Sequence, residues 1–143
     1  MGVEAPTLPY TGAVIRYGYL WRDEALRSRD GGRKDRPCVI LATAAVDDGV
    51  VVYVAPITRT SHGTDDAIEL SRPVRRRLRL DTDNPSWLVT NEANRFRWRG
   101  TDVVPVAPGI EHYGRLDDKI VKAAQRRFLD SIRQGESPAT TRT

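Results

Sequence analysis

The sequence predicts one mainly β domain: a small barrel of roughly five or six short strands, with a short basic helix and a longer helix near the end. Short apolar runs separated by turn-forming residues recur from residue 13 to residue 106, with no helical periodicity between most of them. The one long helical stripe comes later, over residues 117–134. With 143 residues, 39% of them hydrophobic, the chain can bury one compact core, so we expect a single domain at residues 12–135.

The first strand follows a loose start. Residues 1–11 contain two prolines and no periodicity, which is typical of a flexible lead-in. Over residues 13–19 apolar side chains fall on alternate positions, so we expect a half-buried strand there. Residues 22–35 are almost wholly polar and include a Gly-Gly pair, and they predict a long mobile loop before the second strand.

Two apolar runs predict a β-hairpin. They cover residues 37–42 and 50–57, and the Asp-Asp-Gly sequence at residues 47–49 between them favours a tight turn. Because both runs are apolar on both faces, they should lie centrally in a curved or closed sheet. Counting outward from the turn pairs Leu41 with Val54.

The remaining elements are short apart from the last. In order, they are a strand at 67–70, a helix that begins after Ser71 with Pro73 in its first turn, a strand at 87–90, an edge strand at 103–106 that contains Pro105, and a helix at 117–134. In the last helix Asp117 is the expected N-cap and Gly135 the stop. Its apolar stripe consists of Ile120, Val121, Ala124, Phe128 and Ile132. Residues 136–143 are typical of a polar tail.

Charge and composition narrow the class of protein. The formal net charge is +4 and the sequence pI is about 9.6, which favours a polyanionic partner, although the same charge can serve solubility alone. The chain has one cysteine, Cys38 in an apolar run, and two histidines, which excludes a cysteine–histidine zinc site and predicts a core role for Cys38. No apolar stretch is long enough for a membrane span, and no leader pattern opens the chain. We therefore expect a cytoplasmic protein that uses no metal, no cofactor and no membrane.

The hairpin brings two polar side chains to its open end. Arg36 opens the first strand and Thr58 closes the second, so both should face the loop of residues 22–35. A guanidinium beside a hydroxyl suits a phosphate group, which arginine binds through paired donors. The alternative for Arg36 is an ion pair with Asp35 or another loop carboxylate. The alternative for Thr58 is a hydroxyl that caps the strand end.

Three short motifs, together with the late helix, resemble the MazF/PemK family of toxin endoribonucleases over residues 12 to 134. The motifs are GAVI at residues 12–15, KDRPCVIL at 34–41 and VAPIT at 54–58. The resemblance implies a small SH3-like barrel that forms a homodimer, cleaves single-stranded RNA and is neutralised by a cognate antitoxin whose tail occupies the RNA groove. It also implies that Arg36 and Thr58 are catalytic, as the Arg of the Arg-Pro motif and the Thr of the Pro-Ile-Thr motif.

RNA cleavage of this kind needs no metal, because the 2′-hydroxyl of RNA can attack the adjacent phosphorus. Arg36 can neutralise the charge of the five-coordinate phosphorane, and Thr58 can donate a hydrogen bond to one of its oxygens. Arginine stays protonated, so another group must accept the proton. One candidate is Glu92, on the strand where some family members place an Arg and an Asp; Thr90 stands in the place of that Arg. The other candidate is His62, for which a surface histidine without a role is the alternative.

Further cationic and aromatic residues are candidates for RNA binding. They are Arg29, Arg33, Lys34, Arg59, Arg95, Arg97 and Trp98. On a strand, Arg95 and Arg97 would share one face and the two rings of Phe96 and Trp98 the other, so Trp98 is equally suited to the core. The arginines of the short helix either contact phosphates or form a solvated face; they are Arg75, Arg76, Arg77 and Arg79.

Two other classes of function stay open. Toxins with the same barrel that inhibit a topoisomerase depend on a C-terminal Trp-Gly-Ile, which this sequence lacks. A catalytically inactive nucleic-acid-binding barrel would keep the fold and lose the activity.

Overall fold

The computed structural model describes residues 7–23, 34–60, 66–135 and 139–142. Within these ranges the chain forms nine strands and two helices. The strands are β1 (Ala13–Gly18), β2 (Asp35–Val46), β3 (Gly49–Thr58), β4 (Ala67–Leu70), β5 (Ser86–Val89), β6 (Ala93–Arg97), β7 (Val103–Val104), β8 (Gly114–Arg115) and β9 (Ala139–Thr141). The helices are α1 (Arg72–Arg77) and α2 (Asp118–Arg133). The protein is therefore mainly β with two helices, as the sequence predicts.

All strands of the described chain join one sheet, which curls into a half-barrel. The main strand order is β4-β5-β3-β2-β1-β7, with β6 between β3 and β9 and with β8 beside β1. One edge of β3 changes partner along its length, since residues 51–54 pair with β6 whereas Ile57 and Thr58 pair with β5. The pairings are antiparallel apart from that of β6 with β9.

Both faces of the central strands carry buried hydrophobic side chains. One core cluster lies between the sheet and the two helices and includes Val14 and Val39, and a second cluster on the opposite face includes Ile15 and Cys38. Successive residues of a strand thus enter different clusters, as the alternation of side chains requires. The prediction that Cys38 is core is confirmed, and its burial raises the pKa of the thiol.

The alternation in the sequence of the first strand predicts that the strand is half-buried. This prediction is wrong. In β1 only Arg16 is partly exposed, and the other side chains are buried. The reason is the position of β1, which pairs with β2 along one edge and with β7 and β8 along the other, between the two core clusters. In the sequence, a glycine and a charged residue on alternate positions indicate a solvent-exposed face. In the structure, neighbouring strands and side chains cover this face.

The predicted hairpin is confirmed, with a change of register. Val46 pairs with Gly49, so the turn is tight, but Val54 pairs with Ile40 and not with Leu41. The register shifts between Ile40 and Ala42, which leaves Leu41 as the extra residue of a bulge. The predicted Leu41–Val54 pair is therefore wrong by one position. Residues 42–46 beyond the bulge are exposed, whereas residues 38–41, which include the bulge residue, are buried.

Both predicted helices are present. Ser71 precedes α1 and Asp117 precedes α2, although neither side chain makes a capping hydrogen bond within the described residues. Gly135 ends α2 with a φ of 82°, a conformation that favours glycine. Part of the predicted stripe is wrong, because Ile132 is 47% exposed. It lies on the last turn, where an open apolar groove separates α2 from the hairpin.

The predicted strand at 67–70 is confirmed as β4. The strand predicted at 87–90 is present as β5, one residue earlier, and the strand predicted at 103–106 is present as the shorter β7. The polar tail predicted at residues 136–143 is partly wrong, because Ala139–Thr141 form β9 beside β6. Backbone hydrogen bonds make this pairing, so the side-chain pattern gives no sign of it. Residues 1–6 of the predicted lead-in and most of the predicted loop at 22–35 lie outside the described residues. No helix among the described residues is long and apolar enough to cross a membrane.

Truncation of Leu88 should lower the free energy of unfolding by about 2–5 kcal/mol, because Leu88 is fully buried in the cluster beneath the helices. The matched control is Leu129→Ala, since Leu129 is 49% exposed on α2 and its removal leaves no cavity. Urea unfolding of both variants measures the difference. Equal losses of stability for Leu88→Ala and Leu129→Ala would contradict the assignment of the core.

Candidate functional site

A cavity of about 490 Å³ opens beside the end of the hairpin where β2 begins and β3 ends. Its walls come from these two strands, the segment that follows α1, the first residue of β5, and Tyr113. Its cationic side chains are Lys34, Arg36, Arg59 and Arg79, and its acidic side chains are Asp35 and Asp81. The excess of cations gives the cavity a positive potential, which suits an anionic ligand.

Strand register explains why Arg36 and Thr58 share this cavity. Cys38 pairs with Pro56 across the hairpin, and the same register continued by two residues places Arg36 opposite Thr58. The bulge lies on the turn side of this pairing and so does not displace the two residues relative to each other. Both side chains line the cavity.

Arg36 is held by an aromatic ring. Its guanidinium carbon lies 5.1 Å from the centre of the Trp21 ring, within the range of a cation–π contact. Its Nε is buried and has no hydrogen-bond partner among the described residues. The carboxylate of Asp35 lies 3.5 Å from Arg16 and forms no ion pair with Arg36, so this alternative for Arg36 does not hold. Most of the loop that carries the other carboxylates lies outside the described residues. The donors of Arg36 can therefore be used by a ligand, and an unpartnered buried donor favours one.

Thr58 is 8% exposed and caps the strand end. Its Oγ1 accepts a hydrogen bond of 3.2 Å from the backbone N–H of Thr60. Accepting this bond leaves the proton of the hydroxyl itself, which can be donated to another group. The capping role and a ligand-binding role are thus compatible in this geometry.

Arg79 reaches the cavity from a strained backbone position. Its φ is 60°, the one positive value at a non-glycine residue in the described chain. Leu80 N donates to the Arg75 carbonyl (2.8 Å) and Arg79 N to the Arg76 carbonyl (3.1 Å), a helix ending that usually has glycine where Arg79 stands. The left-handed conformation costs an L-residue about 1–2 kcal/mol. The arginine is therefore unfavourable for the backbone, while its side chain adds charge to the cavity.

Arg75 does not line the cavity, and its side chain is buried and bonded to the backbone. It is 8% exposed, and its guanidinium donates to the carbonyls of Leu70 (2.7 Å), Asp81 (3.2 Å) and Thr82 (3.3 Å). These bonds fix the segment that places Asp81 at the cavity. From the sequence, Arg75 either contacts a phosphate or belongs to a solvated helix face. Neither alternative holds, because the side chain is buried. Of the other helix arginines, Arg77 pairs with Asp117.

Asp81 is anionic and holds a cation at the rim. Its carboxylate accepts hydrogen bonds from the side chain of Asn84 and the backbone of Asp83, both 2.8 Å long, and it lies 3.1 Å from Arg59. The hydrogen bond from Asn84 and then that from Asp83 lower the pKa of Asp81. Arg59 thus stays beside the cavity with its charge partly balanced.

Two residues of the cavity have no signal in the sequence. Ser86 is 5% exposed and stands beside Trp87, which pairs with Thr58. Tyr113 comes from the segment before β8, and burial raises the pKa of its phenol, which therefore keeps its proton. Both reach the site through pairings between distant parts of the chain, so no local motif could identify them.

Glu92 does not line the cavity. Its Oε1 accepts a hydrogen bond from the Tyr19 hydroxyl (3.0 Å) and from the backbone N–H of Arg22 (2.9 Å). Burial and then the nearby carboxylate raise the pKa of Tyr19. In this arrangement Glu92 anchors the segment that follows β1.

The candidates for RNA contact on β6 and directly after it do not line the cavity. Arg97 pairs with Val51 and forms an ion pair with Asp48 at the turn of the hairpin. Arg95 donates from Nε to the Tyr53 hydroxyl at 3.1 Å. Trp98 packs against the second core cluster, consistent with its core alternative. By contrast, the candidates Lys34 and Arg59 line the cavity.

Three candidates, Arg29, Arg33 and His62, lie outside the described residues. Within the described part of the chain, no group of three or more His, Cys, Asp or Glu side chains could hold a metal ion. Comparison of this chain with known protein families, with curated proteins and with solved structures found no match.

Arg79→Gly should raise the free energy of unfolding by about 1 kcal/mol, because glycine adopts the left-handed conformation without the Cβ clash. Arg76→Gly is the matched control: it removes the same charge from an exposed position within α1, and it should cost about 1 kcal/mol. Chemical denaturation of both variants gives opposite signs if the strain is real. A loss of stability in Arg79→Gly would show that the Arg79 side chain stabilises the fold.

Proposed function

We propose that this protein is a metal-independent endoribonuclease that cleaves single-stranded RNA, with Arg36 and Thr58 as its catalytic residues. The observation that carries the proposal is the placement of Arg36, with a buried Nε that lacks a partner among the described residues, and of Thr58, with a proton to donate, in one positively charged cavity. The motifs that resemble the MazF/PemK family lead to the same two residues.

The reaction uses the substrate's own nucleophile. The 2′-oxygen of one nucleotide attacks the adjacent phosphorus, the bond from phosphorus to the 5′-oxygen of the next nucleotide breaks, and a proton moves from the 2′-hydroxyl to a base while another reaches the leaving oxygen. The products are a 2′,3′-cyclic phosphate and a 5′-hydroxyl. Arg36 and Thr58 donate to the non-bridging oxygens, and fixed donors of this kind each contribute about 10²–10³ in rate.

For the base, the cavity itself offers two carboxylates. Asp81 already accepts hydrogen bonds from Asp83 and Asn84 and pairs with Arg59. By contrast, among the described residues the carboxylate of Asp35 has one ion-pair contact, at 3.5 Å from Arg16. Of these two carboxylates, that of Asp35 has fewer partners among the described residues and is the proposed acceptor. Glu92 is bound to Tyr19 and Arg22, and His62 stays a prediction. If Asp35 is the base, Asp35→Asn lowers kcat with little change in KM, and an unchanged kcat assigns the proton to another group.

The wider proposal is an SH3-like barrel that acts as a cytoplasmic homodimer, with RNA in a groove made by both protomers and a cognate antitoxin as inhibitor. The curled sheet and the clustered cations support it. An exposed apolar groove between the hairpin and α2 supports a protein partner. That groove is lined by Leu41, Ala42, Tyr53, Gln125, Phe128, Leu129 and Ile132.

Arg36→Ala and Thr58→Val should each reduce cleavage of a mixed-sequence RNA by about a hundredfold or more, because each removes a donor to the phosphorane. Two matched controls make the same changes at exposed positions that do not line the cavity: Arg133→Ala at the end of α2 and Thr43→Val on β2 beyond the bulge. Cleavage is measured with excess EDTA present, and the product ends are identified.

The expected result is full activity of both controls, cleavage that persists in EDTA, and 5′-hydroxyl ends. Wild-type activity in folded Arg36→Ala or Thr58→Val would refute the site. A 5′-phosphate end would indicate attack by a water molecule, and RNA binding without cleavage by the wild-type protein would favour the inactive barrel.

A further inference from the structure

The strand β9 ties the end of the described chain to the centre of the sheet. Ala139–Thr141 run parallel to β6, with Asn94 opposite Thr140. Beyond the strand, Arg142 N donates to the Arg95 carbonyl at 2.7 Å and continues the contact with β6. This short pairing places the side chain of Arg142 over the interior of the second core cluster.

The guanidinium of Arg142 occupies a site of matched acceptors, and its side chain is only 9% exposed. Its Nη1 donates to the Tyr17 hydroxyl (2.8 Å), the Gly18 carbonyl (3.0 Å) and Asn94 Oδ1 (3.0 Å), and its Nη2 lies 2.5 Å from Asp102 Oδ2. Burying a charge is costly unless a counter-charge and hydrogen bonds satisfy it, and here both do. The side chain is therefore fixed, and it fixes its acceptors in turn.

One acceptor, Asn94, carries the contact further. Its side chain is fully buried and brackets Leu20, accepting from Leu20 N at 2.9 Å and donating to the Leu20 carbonyl at 2.8 Å. The Oδ1 that accepts from Leu20 is the same atom that accepts from Arg142. Arg142 and Leu20 therefore both hold this amide in place, and the amide in turn holds the backbone at Leu20.

Leu20 directly precedes Trp21, whose ring lies beneath the guanidinium of Arg36 at 5.1 Å. The Arg36 Nε has no hydrogen-bond partner among the described residues, so the ring is a main determinant of where the guanidinium lies. A shift of Leu20 would move the ring and hence the donors of Arg36.

We propose that Arg142 is a positioning residue for Arg36, acting through Asn94, Leu20 and Trp21, and that β9 and Arg142 therefore belong to the functional site. The effect of Arg142 on the position of Arg36 is inferred from the contacts alone. The effect on cleavage rests on the proposed ribonuclease function, so the two are tested by separate measurements.

The positional test uses fluorine NMR of protein labelled with 5-fluorotryptophan, which gives one signal for each of the three tryptophans. Trp21→Phe assigns the signal of Trp21, and Trp87, on β5, serves as the internal reference. Arg142→Ala should shift or broaden the Trp21 signal and leave that of Trp87 in place. The matched control is Arg133→Ala, which removes an exposed arginine paired with Asp130 and should move neither signal.

Asp102→Asn and Arg142→Lys are milder substitutions that keep the test valid if Arg142→Ala does not fold. Each keeps the approximate size of the side chain while weakening the contacts of Arg142. Both should move the Trp21 signal in the same direction as Arg142→Ala, by less. An unchanged Trp21 signal in any folded variant of this set overturns the positioning role.

The activity test measures kcat and KM for RNA cleavage. Misplacement of Arg36 should lower kcat by about ten- to a hundredfold with KM nearly unchanged, and Arg142→Lys should recover part of the loss. A moved Trp21 signal with unchanged kcat would overturn the link from Arg142 to the site. If the wild-type protein cleaves no RNA while the Trp21 signal moves, the proposed function fails and the positioning role of Arg142 stands.

Discussion

The rest of the structure depends on how β3 pairs with its neighbouring strands along its two edges. One edge pairs with β2 throughout the hairpin, and the other pairs first with β6 and then with β5. The sheet joined by these pairings is twisted and curled, and it buries residues on both of its faces. The same change of partner leaves Thr58 between Arg36 on β2 and Ser86 on β5. The fold and the cavity are thus consequences of one arrangement of hydrogen bonds.

Two arginines of the cavity, Arg36 and Arg79, differ from the arginines that form ion pairs, such as Arg59 with Asp81. Away from the cavity, Arg77, Arg97 and Arg142 each pair with a carboxylate. At the cavity, Arg36 stacks on a ring and keeps an unpartnered buried donor among the described residues, and Arg79 is held in an unfavourable backbone conformation. Strain and unsatisfied donors are features that a binding site can hold because the ligand compensates for them. This is the physical reason for assigning function here.

Local patterns predict part of this site, and long-range pairing decides the rest. The turn residues and the apolar runs identify the hairpin, and the hairpin alone brings Arg36 and Thr58 together. The bulge at Leu41 has no signal in the sequence, because any apolar residue could occupy it. Glu92 lies near the expected strand, yet its carboxylate is used by Tyr19 and Arg22, a contact that only the folded chain creates. The polar segment at 139–142 carries a buried arginine for the same reason: its acceptors come from distant parts of the chain.

The central claim is that the substrate's own 2′-hydroxyl is the nucleophile and that the protein supplies donors and a positive cavity. A direct test uses an RNA oligonucleotide that the protein cleaves at one position, synthesised again with a single 2′-deoxynucleotide on the 5′ side of the scissile phosphate. Binding of the two oligonucleotides should be nearly equal, since the phosphate charges are unchanged. The account predicts that cleavage at that phosphate is abolished. Cleavage of the modified bond at the rate of the unmodified one would contradict it.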